Sequence, residues 1–171
     1  INYAYPTIPH IYIHTVNNAP VNSKDIYLNA GIEIEGYGTY QDYKDSTQIK
    51  GRGNSTWSYA KKPYRLKLKT KASLLGLSSE KDWVLLANYL DPTLMLNATA
   101  LKLGSLLEVP FTNHTIPVEL TINGVYQGAY TFTEQVEVES NRVNVKDGVL
   151  FELDSYFDED YKFRSSPYNL P

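Results

Sequence analysis

The alternation of apolar and polar positions predicts a chain built mainly of short strands. Ile8 to Val16, rich in Ile, Tyr and Val, reads as a strand, and Asn17-Asn18-Ala19-Pro20 as a turn. Ile26 to Glu35 is a second extended stretch, with Ile32 and Ile34 alternating against Glu33 and Glu35 before Gly36 and Gly38 interrupt it. Tyr40 to Asp45 is polar and reads as a loop, and Thr47 to Arg52 as a short strand. Tyr64, Leu66 and Leu68 then alternate with Arg65, Lys67 and Lys69. A period of two puts the apolar set on one face and the three cations on the other. Ala72 to Gly76 suggests a short helical turn, and Trp83 to Ala87 a buried strand.

Asp91-Pro92 reads as a helix start, an Asp N-cap followed by Pro at the first helical position. Leu94, Ala98 and Leu101 form one stripe, and Leu96, Ala100, Leu103 and Leu107 another. A helix apolar round most of its girth is expected to be well buried. Gly104 marks its last turn and Pro110 bars continuation. Next, Ile116, Val118, Leu120 and Ile122 precede Asn123-Gly124, and Tyr126, Tyr130 and Phe132 follow it. Asn-Gly between two alternating runs predicts a type I′ hairpin. Arg142 to Val145 and Val149 to Leu153, around Asp147-Gly148, suggest two more strands. The expected fold is α+β: seven to nine strands in a mainly antiparallel sheet, with one substantial packed helix. A single unit over 1–154 is expected, then a polar, acidic and weakly packed tail over 155–171.

Composition narrows the function classes. The 171 residues suffice for one sizeable core, and 42% are hydrophobic, so the chain should fold. A net charge of −3 gives no basic excess, which argues against a generic nucleic-acid binder. With no cysteine, disulfides, Cys-ligated zinc and thiol catalysis are excluded. No apolar run reaches the ~18 residues of a membrane helix. The start at Ile1 rather than Met implies excision from a longer precursor, and with it the loss of any targeting signal. Fifteen Tyr against five Phe suit half-wet strands and binding surfaces.

Four segments could carry chemistry. In Gly51-Arg52-Gly53-Asn54-Ser55-Thr56-Trp57, backbone N–H groups, hydroxyls and a guanidinium could surround an anion. A strand end with a glycine bulge is the plainer alternative. The cationic face with Arg65 and Lys67 could hold phosphate oxygens, or be a solvated strand face. Thr133-Glu134-Gln135 could be a hinge or a polar strand end. Glu152 and Asp154 share one strand face and could approach one cation, although with Asp158, Glu159 and Asp160 nearby a solvated acidic segment is commoner. His10, His14 and His114 are too dispersed for a zinc site.

From Ile49 to Asp154 the chain resembles the spore coat protein H (CotH) family, an atypical kinase-like family. The pieces that carry the resemblance run in order: Arg52 to Trp57, Lys62-Pro63-Tyr64-Arg65-Leu66-Lys67-Leu68, Ala72 to Gly76, Lys81 to Tyr89, Val118-Glu119-Leu120, Asn123 to Gly128, Thr133-Glu134-Gln135 and Asn141-Arg142-Val143-Asn144. Their shared order is more specific than any one piece. The resemblance implies ATP and Mg as cofactors, protein Ser/Thr phosphorylation, and the architecture of a kinase small lobe. Tyr64 to Leu68 would be the lysine-bearing strand, Pro92 to Leu107 its neighbouring helix, and Ile116 to Gln135 the approach to the hinge. Arg52, Gly53, Asn54, Ser55, Arg65, Lys67 and Glu134 are the implied nucleotide-binding residues. The catalytic and metal-binding aspartates are expected in a C-terminal half beyond Pro171, so the chain alone is expected to be inactive. Two departures stand out: Leu96 occupies a position where the family pattern suggests Arg, and the helix lacks a central Glu. The resemblance also implies an exported or cell-surface bacterial protein. A non-catalytic module that binds protein or glycan on a Tyr-rich sheet is the alternative.

Overall fold

Seven of the alternating runs pair into strands: β1 (His10–Thr15), β2 (Leu28–Glu35), β3 (Tyr43–Gly51), β4 (Tyr64–Ala72), β5 (Glu80–Leu86), β6 (Thr115–Ile122) and β7 (Val125–Glu134). They belong to a computed structural model that describes residues 7–152. The order round the sheet is β1-β2-β3-β4-β5-β7-β6, and the sheet closes on itself. Closure comes from a parallel pairing of β1 with β6, from His10 opposite Glu119 to Ile13 opposite Ile122. Every other neighbouring pair is antiparallel. A closed barrel leaves no strand edge unpaired.

The apolar partners of each alternation fill the barrel. Ile11, Ile13, Ile32, Ile34, Ile49, Leu66, Trp83, Leu85, Val118, Leu120 and Phe132 are all essentially inaccessible to solvent. The Trp83 and Phe132 rings stack 5.0 Å apart across β5 and β7. Each such side chain contributes roughly 1.5–3 kcal/mol on burial, so the interior supplies the core by itself.

The expected α+β sheet with a packed helix, like a kinase small lobe, is therefore corrected to a closed seven-stranded barrel. The helix, α1 (Leu96–Leu106), has no buried residue. Its stripes stay outside: Leu96, Leu103 and Leu106 are each more than half exposed. A barrel that packs its inner face against itself needs no helix to cover it, so apolarity round the helix did not translate into burial. The helix also begins later than expected. The Asp91 carboxylate accepts the Thr93 and Leu96 N–H groups at 2.9 and 2.8 Å, capping from five residues upstream, and Pro92 lies outside the helix.

Local expectations met different fates. The type I′ turn forms, with positive φ at both Asn123 and Gly124. Tyr43 to Asp45 extends β3 rather than looping, and Lys44 reaches Glu33 across the strands at 2.7 Å. Ala72 to Gly76 ends β4 and turns without a helix, burying Leu74 and Leu75. Arg142 to Val145 and 149–152 form no strand. Leu153, Asp154, the acids Asp158, Glu159 and Asp160, and the expected tail over 155–171 lie outside the described residues. Among the described residues no helix is long and apolar enough to cross a membrane.

Candidate functional site

The outer face of β3 and β4 gathers cations because alternation leaves every second residue outside. Lys50 stands opposite Arg65, and Gln48 opposite Lys67. Tyr27, just before β2, lies beneath two of them: the Lys50 ammonium is 4.9 Å and the Lys67 ammonium 6.0 Å from its ring centroid. Burial pushes the Tyr27 phenol up from its ordinary pKa, with Arg65 acting the other way.

Arg65 alone among these cations is neutralised. Its Nη2 and Nε donate to one oxygen of Asp82 on β5, at 2.7 and 2.9 Å. The ammonium groups of Lys50 and Lys67 make no hydrogen bond or ion pair among the described residues. Arg52, one residue past β3, donates its backbone N–H to the Pro63 carbonyl at 3.2 Å. Its guanidinium is held below its usual pKa, first by burial and then by Arg65, while Glu152 acts the other way. Like charges crowded into a half-buried place raise the free energy of the empty face, and an anion lowers it.

The glycine-rich segment beside Arg52 has a packing explanation. A Cβ at Gly51 would collide with the Trp57 indole, and one at Gly53 with the Thr56 hydroxyl. Gly53 also has φ of +84°. The glycines let a 3-10 turn at Ser55–Ser58 fold back on the strand end. Lys62 holds that turn, its ammonium on the Trp57 carbonyl at 2.6 Å and 5.2 Å from the Trp57 ring centroid. Asn54 and Ser55 are exposed at the tip. Lys61 turns the other way, onto the Ala129 carbonyl and 4.4 Å from the Tyr130 ring centroid.

The structure brings Arg52, Gly53, Arg65 and Lys67 to one side and leaves Glu134 apart. Glu134 stands opposite Trp83 and shares its inward parity, whereas Arg65 and Lys67 point outward. Its carboxylate accepts the His114 N–H at 2.7 Å and lies 2.8 Å from His114 Nδ1. It thus caps the turn into β6. Lys50, Tyr27 and Asp82 escaped the sequence reading. Lys50 has the same strand parity as Gln48, but only the register of β3 against β4 sets it beside Arg65.

Past β7, the strap 136–145 folds over the start of β5. Arg142 is buried, with its guanidinium 4.7 Å from the Trp83 ring centroid, and Val143 donates to the Glu137 carbonyl at 3.1 Å. Burial, and next Asp82, push the Glu137 carboxyl above its ordinary pKa, with Arg142 and Arg65 opposing. Lys71 bridges the buried Glu80 and the exposed end of Glu139, 2.9 Å from each. No group of three or more His, Cys, Asp or Glu side chains suited to a metal ion occurs among the described residues.

Residues 49–169 match the family model described as CotH kinase protein, a span that opens in β3 and contains the glycine-rich segment, β4 to β7 and the strap. No curated protein matches the chain.

Proposed function

We propose, from the premise that this chain belongs to the CotH kinase family, that it holds the phosphates of ATP in a phosphotransferase that acts on protein hydroxyls. The observation that carries this reading is the crowding of Arg52, Lys50, Arg65 and Lys67 at one strand end, with a single carboxylate, Asp82, bound directly to one of them. The side-chain cations of the other three form no hydrogen bond or ion pair among the described residues, and two of them, Lys50 and Lys67, lie over the Tyr27 ring. Guanidinium and ammonium groups at this density suit phosphate oxygens. Arg52 would contact them from the loop, with Lys50 and Lys67 from the strand face, and Arg65 would join if it loosened its hold on Asp82. The exposed Asn54 and Ser55 can add donors. Bound ATP would supply the transferable phosphoryl group. The chain's own contribution is to orient and neutralise the phosphate chain, which is most of what such catalysis requires.

Mg is a poorer match to the described residues. Asp82 is committed to Arg65, and no acidic trio is assembled among the described residues. Metal ligation and the catalytic base are thus assigned to residues other than those described. Glu134, committed to His114, serves the barrel rather than the nucleotide in this reading.

Thermal unfolding with millimolar Mg-ATP tests the proposal, since a ligand of the native state raises its stability. The expected result is a rise in Tm that R52A and a K50A/K67A pair each reduce. No rise at saturating nucleotide, or a rise that survives both changes, overturns it.

The alternative of a binding module has its own observation. His10 and Tyr12 stack at 4.1 Å on the opposite wall, and Tyr126 meets His10 edge-on. The Tyr12 and Tyr37 hydroxyls donate to Glu35 and the Tyr126 hydroxyl to Glu119. An aromatic wall with acceptors could hold a glycan. Retention on a glycan array that Y37A/Y126A abolishes, with no response to nucleotide, would favour it.

A further inference from the structure

Tyr27 stands where the chain enters the sheet. The pairing of β2 with β3 begins at Leu28 opposite Ile49, so Tyr27 falls one residue outside it, on the side of Lys50. It shares the outward parity of the exposed Asn29, as Lys50, Arg65 and Lys67 share that of Gln48. The chain ahead of Tyr27 is tied to the same strand end, because the Gly51 N–H donates to the Ser23 carbonyl at 2.8 Å. Tyr27 itself is half-buried. It precedes the span 49–169 that matches the family model, whereas Lys50 and Lys67 lie within it.

The ring meets two ammonium groups of like charge, Lys50 at 4.9 Å and Lys67 at 6.0 Å from its centroid. Neither ammonium has a hydrogen bond or an ion pair among the described residues. Each sits on a flexible four-carbon stem, so without a partner it would roam. The negative face of an aromatic ring attracts a cation without cancelling its charge. A carboxylate in the same place would occupy the ammonium donors and compete with an incoming anion. The phenol brings no charge of its own at neutral pH, since burial pushes its pKa above the ordinary value although Arg65 acts the other way. Tyr27 thus restrains both lysines and leaves their charge and their donors free.

We propose that Tyr27 is a positioning residue for the phosphate face: its ring gathers the Lys50 and Lys67 ammonium groups before a ligand arrives, and so lowers the cost of ordering them round phosphate oxygens. This role rests on the nucleotide reading given above. Immobilising a rotamer-rich side chain opposes binding, and a side chain already restrained in the free protein loses less. Tyr27 acts on phosphate only through the two lysines, so loss of the ring should weaken binding rather than abolish it. The pairing of β2 with β3 is what delivers the ring, from a part of the chain ahead of the family span.

Calorimetric titration of the full chain with Mg-ATP, at constant ionic strength so that screening does not change, is the test. Y27F keeps the ring and is expected to bind within about twofold of wild type, whereas Y27L is expected to raise Kd about fivefold. In a K50A/K67A background Y27L is expected to change nothing further. Equal affinity of Y27L and wild type overturns the proposal. So does a loss in Y27L that persists undiminished in K50A/K67A, which would mark a merely structural role. A loss shared by Y27F overturns it too, because the hydroxyl would then be the group that matters. Proton NMR of the nucleotide-free wild type gives a second readout that needs no variant to fold. The ring current of Tyr27 is expected to move the ε-methylene protons of Lys50 and Lys67 upfield of those of the exposed Lys44. Unshifted lysines in a protein that binds Mg-ATP overturn the role of Tyr27 alone. No binding by wild type overturns the nucleotide reading, and this role with it.

Discussion

Arg65 on β4 reaches diagonally to Asp82 on β5 and places two donors on a single carboxylate oxygen, at 2.7 and 2.9 Å. The carboxylate is 9% exposed and the guanidinium 29%, so water screens the pair only in part. A second carboxyl, Glu137, lies near enough for Asp82 to raise its pKa and Arg65 to lower it. Asp82 does two things: it satisfies Arg65, and it keeps the cation in place beside Lys50.

Removal of the carboxylate should cost more than removal of both partners. D82A is expected to lose about 2 kcal/mol, less than the ~3–5 kcal/mol of a fully buried pair because Arg65 keeps some solvent. The double change R65M/D82L should be milder than D82A alone. Urea unfolding of both variants checks this. A D82A stability equal to that of wild type would show that the pair is solvated out.

Gly51 is predicted to be intolerant of any side chain because the Trp57 indole occupies the place of its Cβ. G51A should lose about 1–3 kcal/mol by overpacking. In a W57A background the same change should cost far less. A double-mutant cycle by chemical denaturation reads the difference.

The Asp91 carboxyl is held below its usual pKa, first by the Thr93 hydroxyl and next by the Leu96 N–H, with burial acting against them. A depressed carboxyl contributes stability above its unfolded pKa and loses it as pH falls through the folded value. D91N should therefore be less stable than wild type at neutral pH, with the gap closing in acid. Thermal melts from pH 7 down to pH 2 would show it, and a gap independent of pH would contradict the ionic cap.

Asn123 is expected to matter beyond its turn. Its amide oxygen accepts the Thr15 N–H at 2.9 Å, and its amide nitrogen donates to the Thr15 hydroxyl at 2.8 Å. These bonds join the hairpin turn to the end of β1, next to the parallel seam that closes the barrel. N123G keeps the positive φ but loses the bonds, and should cost about 1–2 kcal/mol. Faster amide exchange in β1 is the accompanying signature.

Glu134 should report on structure rather than on nucleotide. E134A strands the His114 N–H and is expected to lose about 1–2 kcal/mol, while the Mg-ATP response of the remaining folded protein persists. A folded E134A that fails to respond to Mg-ATP would place Glu134 in the nucleotide site after all.

The sequence by itself determined the strands and their faces. Period-two runs such as Tyr64 to Leu68 and Ile116 to Ile122 name their inner residues, because side chains of a strand alternate whatever the neighbour is. Asn123-Gly124 named its turn, because few residue pairs accept positive φ twice. The ordered motifs from Arg52 to Asn144 named the family. Only the tertiary structure decided that the sheet closes. The parallel pairing of β1 with β6 joins residues more than a hundred positions apart, and no local pattern encodes it. Closure then decided that the helix stays outside, although its leucines read as core. The site divided in the same way. Arg65 and Lys67 were legible as a cationic face, but their company was a matter of register: Lys50 from β3, Asp82 from β5 and Tyr27 ahead of β2. Register is set by how whole strands bury their apolar sides together, which is why it could not be read from any one of them.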